Sequence, residues 1–143
     1  MSRSCLLLGL TLSILISDTR AGEPGSPPGK AFRTEKNGWI FVHLEGSPDE
    51  IGYQHGWLLS GEIADLIRVC KPFLEKTTRR YWSFYRHAAE TMLWPKTDPE
   101  YQREIDGIVA GLKARGIAAD RWDLVALNAL EELPYYYVPW LDK

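Results

Sequence analysis

Three histidines, His43, His55 and His87, and two cysteines, Cys5 and Cys70, are the side chains of this 143-residue chain best suited to acid–base or nucleophilic chemistry. No two of the histidines stand three or four residues apart on one helix, and no H-E-x-x-H or paired C-x-x-C occurs, so the pattern calls for no metal. A G-x-S-x-G elbow and a phosphate-binding glycine loop are also missing, and nothing in the sequence calls for a cofactor. Cys70, in "LIRVCKPF", falls on the apolar side of a helical pattern and reads as an inert core thiol. His55, in "GSPDEIGYQHG", shares a helical stripe with Ile51 and Leu59 and reads as a half-buried, hydrogen-bonded structural histidine. Gly52 and Gly56 flank it four residues apart, each costing on the order of 1 kcal/mol relative to alanine inside a helix. The spacing implies a close approach, either of a strand or substrate chain or through tight packing between helix and sheet. Farther along, Asn128 is an amide inside an apolar helix and must find a partner, either a neighbouring loop or a pocket. Glu131 and Glu132 follow it by about one helical turn, near enough for one of them to pair with it.

The elements that would hold these residues can be read from periodicity and punctuation. "GEPGSPPGK" and the residues after it make residues 22–36 a Pro/Gly-rich linker. "NGWIFVHLEG" reads as one strand with an almost continuous apolar run, suggesting burial on both faces, and it has no partner strand elsewhere in the sequence. Ser47, Pro48 and Glu50 form a capping box that opens a helix running to about residue 75, with Pro72 near its last turn. A second helix is expected from about Arg79 to Leu93, with an aromatic stripe that reads as core. A third follows over roughly 98–115, ended by Gly116, and a fourth starts at an Asp120 cap and stops before Pro134. The fold class is α+β, one strand followed by about four helices.

The opening residues place Arg3 before an apolar run from Cys5 to Ile16, with Thr19 and Ala21 at the spacing of an export-peptidase site. Residues 1–21 therefore read as a cleaved signal peptide, too short in its apolar run for a stable membrane anchor. The chain is expected to be exported, periplasmic or extracellular. With 17 basic against 19 acidic residues there is no cationic surface for nucleic acid. The stretch "KTTRRYWSFYRH" reads instead as an amphipathic helix with a solvated basic face.

Two segments, "GSPDEIGYQHGWLLSGEIADLI" and "YQREIDGIVAGLKARGIAADRWDLVALNALEEL", resemble a known family in order and spacing. The first is similar to the "G-[ST]-P-x-E-I-G-x-x-H-G" segment of the isopenicillin N acyltransferase-like hydrolases, and the second to their "EI-x-G-I-A-x-G" helix and the "L-N-x-x-x-E" helix after it. Phospholipase B-like proteins are similar in the same region, and the resemblance spans about residues 39–133. It implies an αββα sandwich of the N-terminal-nucleophile type, made by a precursor that cuts itself before a cysteine. The freed thiol then attacks an amide, ester or thioester carbonyl, and its own amine serves as the base. In the family that cysteine follows the "L-N-x-x-x-E" helix, and no such cysteine is present up to Lys143. The resemblance therefore makes residues 37–143 the N-terminal, α-chain-like part of the domain, incomplete and without a catalytic nucleophile of its own. Its partners would be a C-terminal or β-chain carrying the nucleophile and a small acyl substrate. Tyr53, His55, Asn128 and Glu131 are the pocket or supporting residues it points to, with Gly52 and Gly56 as close-packing positions. The alternative is a small exported helical binding protein with no catalytic activity.

Overall fold

The computed structural model describes residue 27 and residues 29–143, so the expected signal peptide lies outside the described residues. The architecture is α+β and mostly helical. It consists of a β-hairpin (β1, Phe32–Lys36; β2, Trp39–His43) and the helices α1 (Pro48–Leu58), α2 (Ser60–Thr78), α3 (Trp82–Ala88), α4 (Pro99–Ala114), α5 (Arg121–Asn128) and α6 (Val138–Leu141). A π-helical turn over Ala89–Leu93 and a 3-10 turn over Trp94–Lys96 extend α3, and a second π-helical turn, Leu133–Tyr137, leads into α6.

The hairpin corrects two expectations: the strand in "NGWIFVHLEG" has a partner, and that partner lies in residues 32–36, which were expected to end the linker. β1 and β2 pair antiparallel, Phe32 opposite His43 and Lys36 opposite Trp39. Asn37 and Gly38 sit at φ 54 and φ 79, both left-handed, which is the tight turn whose twist matches two antiparallel strands. The signal was present as Asn-Gly, but the polar composition of "FRTEK" hid the first strand. Burial on both faces is also overturned: Trp39 is 72% exposed and Phe41 52%. Arg33 ties the hairpin to α2 through Glu62 at 2.6 Å.

The Ser47 capping box forms as expected, with the Glu50 carboxylate accepting from the Ser47 backbone N–H at 2.8 Å and from its hydroxyl at 2.7 Å. Those bonds hold the Glu50 carboxyl below its ordinary range. The single helix expected to residue 75 is instead two helices, parted at Leu59 (φ −111, ψ 23). The break lets α1 lie along α4 while α2 swings across to α3 and α5. α2 then continues through Pro72 to Thr78, where Arg79 adopts a left-handed φ of 58 and ends it. Gly116, at φ 76, terminates α4 as the sequence implied. The last expected helix is shorter than the pattern suggested: α5 ends at Asn128, and Pro134 opens the next helical turn, where its missing N–H costs nothing.

The core lies among α2, α3, α5 and the C-terminal turns. Tyr85, Ala89, Ala126 and Leu133 are almost wholly buried there, and Ile108, Leu112 and Leu124 form a second cluster between α4 and α5. Asp123 is the buried polar node that joins three helices. It accepts from the Trp82 indole N–H at 2.6 Å and pairs with Arg86 at 2.8 Å and Lys71 at 3.6 Å. Arg86 also grips Asp120 through both guanidinium ends, at 2.8 and 2.6 Å, and Asp120 caps α5 through the backbone N–H groups of Trp122 and Asp123.

Candidate functional site

The four residues Gly52, Gly56, Gly107 and Gly111 decide how α1 and α4 meet. A Cβ on Gly52 would stand 2.8 Å from the carbonyl carbon of Glu104, and one on Gly56 would stand 2.9 Å from that of Ile108. From the other side, a Cβ on Gly107 would lie 2.9 Å from the Tyr53 nitrogen and one on Gly111 2.7 Å from that of Trp57. These distances are shorter than real side chains tolerate, so the two helices touch backbone to backbone. The close approach expected of Gly52 and Gly56 is therefore real, but it is made by a helix rather than by a strand, a sheet or a substrate chain. Its complement was legible as "GIVAG", which repeats the four-residue spacing of "GYQHG" and is the small-xxx-small pattern of closely packed helices.

Between these two glycine contacts α1 carries a side chain that the motif reading passed over. Gln54 is only 2% exposed and acts as a substitute strand. Its amide accepts from the Glu45 backbone N–H at 2.9 Å and donates to the Glu45 carbonyl at 2.9 Å. This pairing fixes the connection from β2 to α1. A fully polar residue flanked by glycines inside an amphipathic helix was the available hint.

His55 sits half-buried at the edge of the same seam and opens onto a cleft of about 660 Å³ between α1, α4 and the end of α5. Asn128, Glu104, Glu132 and Tyr101 line the cleft with it, over an apolar floor that includes Ile105, Ile108 and Val125. Burial pushes the imidazole below its ordinary pKa, with the Glu104 carboxylate opposing in part, so the ring is neutral near pH 7. No hydrogen bond to the ring is formed among the described residues, unlike the tied-down histidine the sequence suggested. Asn128 also differs from expectation. It is exposed at the rim, and its amide nitrogen donates back to the Leu124 carbonyl at 3.0 Å rather than securing a loop.

Of the residues singled out from the sequence, His55 and Asn128 are brought together in one cleft. Tyr53 is not among the residues lining it; its backbone instead meets Gly107 and Gly111. Glu131 turns into a separate groove of about 380 Å³ beside Cys70, Leu74 and Tyr135, while Glu132 takes the place near Asn128. The reason is the end of α5 at Asn128: beyond it the chain turns, so helical spacing no longer predicts direction. Burial pushes the Cys70 thiol up, away from the thiolate form that attacks carbonyls.

The cleft can therefore bind and orient. A neutral imidazole and an amide offer directional hydrogen bonds, but no hydroxyl or thiol is hydrogen-bonded to a base in it among the described residues. Thr97, its aliphatic alcohol, donates to the Leu93 carbonyl at 3.0 Å.

The chain is 31% identical over 109 residues to the 40 kDa form of acyl-coenzyme A:6-aminopenicillanic-acid-acyltransferase from Emericella nidulans. That alignment takes in 72% of this chain and 28% of the fungal protein, so the chain spans little more than a quarter of its relative's length. No protein-family model and no solved structure matches the chain.

Proposed function

We propose that the chain is the N-terminal segment of an exported, self-cleaving N-terminal-nucleophile acyltransferase or hydrolase of the isopenicillin N acyltransferase-like family, acting on amide, ester or thioester acyl groups. The observation that carries this reading is the alignment over 109 residues with a fungal acyltransferase. Two features of the structure support it. The cleft presents groups that position a ligand, without a nucleophile and base in contact among the described residues. Large apolar side chains also stand exposed on the hairpin and near the C-terminal end, among them Trp39, Phe41, Tyr136 and Trp140. Such surfaces suit a chain that packs against further protein.

In this reading the nucleophilic cysteine and its oxyanion-stabilising groups come from polypeptide beyond Lys143. Self-cleavage before that cysteine frees an amine, which takes the thiol proton as the sulfur attacks the acyl carbonyl. Water or an amine then resolves the acyl-enzyme. His55 and Asn128 hold the substrate or the nucleophile-bearing segment, and the α1–α4 seam supplies the rigid platform behind them.

The test extends the reading frame past codon 143 and expresses the longer protein. Mass spectrometry should find two chains, the second beginning with cysteine, and the mixture should release acyl groups from thioesters or amides. A frame with no cysteine-led continuation, or an uncleaved and inactive product, would sink the proposal. A stand-alone exported binding protein remains the second reading, favoured by one observation: no buried side-chain polar atom lacks a partner among the described residues. It requires residues 22–143 to unfold cooperatively as a soluble monomer or homodimer.

A further inference from the structure

α2 carries an exposed apolar surface apart from the hairpin and the C-terminal turns. Leu66, Val69 and Phe73 are 46%, 53% and 57% exposed, while Ser60 and Leu74 on another side of the helix are buried. The three belong to a longer stripe, Glu62, Leu66, Val69, Phe73 and Lys76, spaced alternately four and three residues apart. That is the repeat with which one helix presents a continuous seam to another. At a rise of about 1.5 Å per residue the seam is roughly 21 Å long. Its two ends differ in charge. Arg33 is shared by Glu62 and Glu35, each at 2.6 Å, so two carboxylates face one guanidinium and that end stays negative. Lys76, at the other end, has no ion pair among the described residues. Beside the seam, Asp65 and Arg68 neutralise each other at 3.1 Å.

The stripe reads acid, three apolar residues, base, and it is its own complement when reversed. We propose that this face binds a second copy of the chain, with the two α2 helices antiparallel about a two-fold axis at Val69. Val69 then meets its own counterpart, Leu66 packs against the second copy's Phe73, and Glu62 faces the second copy's Lys76 at both ends. A parallel arrangement would set Glu62 against Glu62 and Lys76 against Lys76, so charge selects the direction. A helix pair of this length buries less surface than a standard stable interface, and the dimer is weak and reversible. The pairing uses neither a nucleophile nor the His55 cleft, so it stands or falls separately from the acyltransferase reading, which is tested by self-cleavage.

The experiment is sedimentation equilibrium of the full 143-residue chain, whose average mass should rise reversibly from one chain towards two as concentration is raised. Val69→Asp sets two carboxylates against each other at the axis and should weaken the dimer at least about a hundredfold. Because Val69 is half-exposed, the thermal midpoint of the dilute monomer should not move. Glu62→Lys or Lys76→Glu alone should weaken the dimer roughly tenfold, since each reversal acts at both symmetry-related ends. The two reversals together should return it to within about threefold of wild type, a rescue that structural damage would not produce. A chain that stays monomeric at millimolar concentration leaves this face to other polypeptide and overturns the proposal. So would undiminished association of the Val69 variant, or a double reversal that dimerises no better than the single ones.

Discussion

The α1–α4 seam and the β-hairpin are opposite solutions to the same problem of placing apolar or bare backbone next to something. In the seam, Gly52 and Gly56 meet Gly107 and Gly111, and each helix supplies what the other needs within the chain. In the hairpin, the paired strands satisfy each other's backbone, yet Phe32, Trp39 and Phe41 remain more than half exposed. The first region is complete in itself. The second has its local geometry but no cover among the described residues, and an exposed aromatic sheet surface is what a partner layer would bury.

The largest expected effect comes from breaking the seam. Gly52→Ala places a methyl against the Glu104 carbonyl, where neither side can yield without moving a helix, and should cost at least about 3 kcal/mol in denaturant unfolding. Gly61→Ala is the control. It is an exposed α2 position with open space around it, and should stabilise by up to about 1 kcal/mol. Equal effects at the two positions would show that helix propensity, not backbone contact, governs α1.

Asp123→Asn should cost about 2 kcal/mol, because it leaves Arg86 and the half-exposed Lys71 without their shared carboxylate. Burial alone would push the Asp123 carboxyl up, but bonds from Trp82, Arg86 and the Asp120 N–H outweigh it and hold the group below its ordinary value. Its contribution is therefore present above the unfolded aspartate value near pH 4 and lost as pH falls through the lower folded value. The difference between wild type and variant should shrink as urea midpoints are taken from pH 7 towards pH 3.

Gln54→Leu should cost about 1–2 kcal/mol, since the Glu45 N–H and carbonyl lose a buried partner each. The smallest effect on stability is expected in the hairpin. Trp39→Ser with Phe41→Thr should move the unfolding midpoint by no more than about 0.5 kcal/mol, because both side chains are exposed. Light scattering should nevertheless show less self-association. A large loss of stability in that double variant would mean that the chain already buries this face, and the contrast with the seam would fail.

The helix starts were legible because their signals are local. Ser47 with Glu50, and Asp120 with the N–H groups of its first turn, act within three residues and need no tertiary information. The glycine spacing was legible as a close approach, and of Tyr53, His55, Asn128 and Glu131 the structure brings only His55 and Asn128 to one cleft. The break at Leu59 was not legible, since α1 and α2 form an unbroken apolar periodicity and only their different partners force them apart. Glu132 rather than Glu131 faces the cleft for a similar reason: the turn after Asn128 resets a direction that helical spacing would have fixed.

By itself the sequence determined where helices begin, which positions must lack a side chain, and which acyltransferase segment the chain resembles, because caps, glycines and motif order depend on near neighbours along the chain. Only the tertiary structure decided what meets those glycines, that "FRTEK" turns back as a strand, and that His55, Asn128 and Glu132 line one cleft. Those outcomes depend on contacts between segments far apart in sequence, where the energy of packing, not local preference, selects the arrangement.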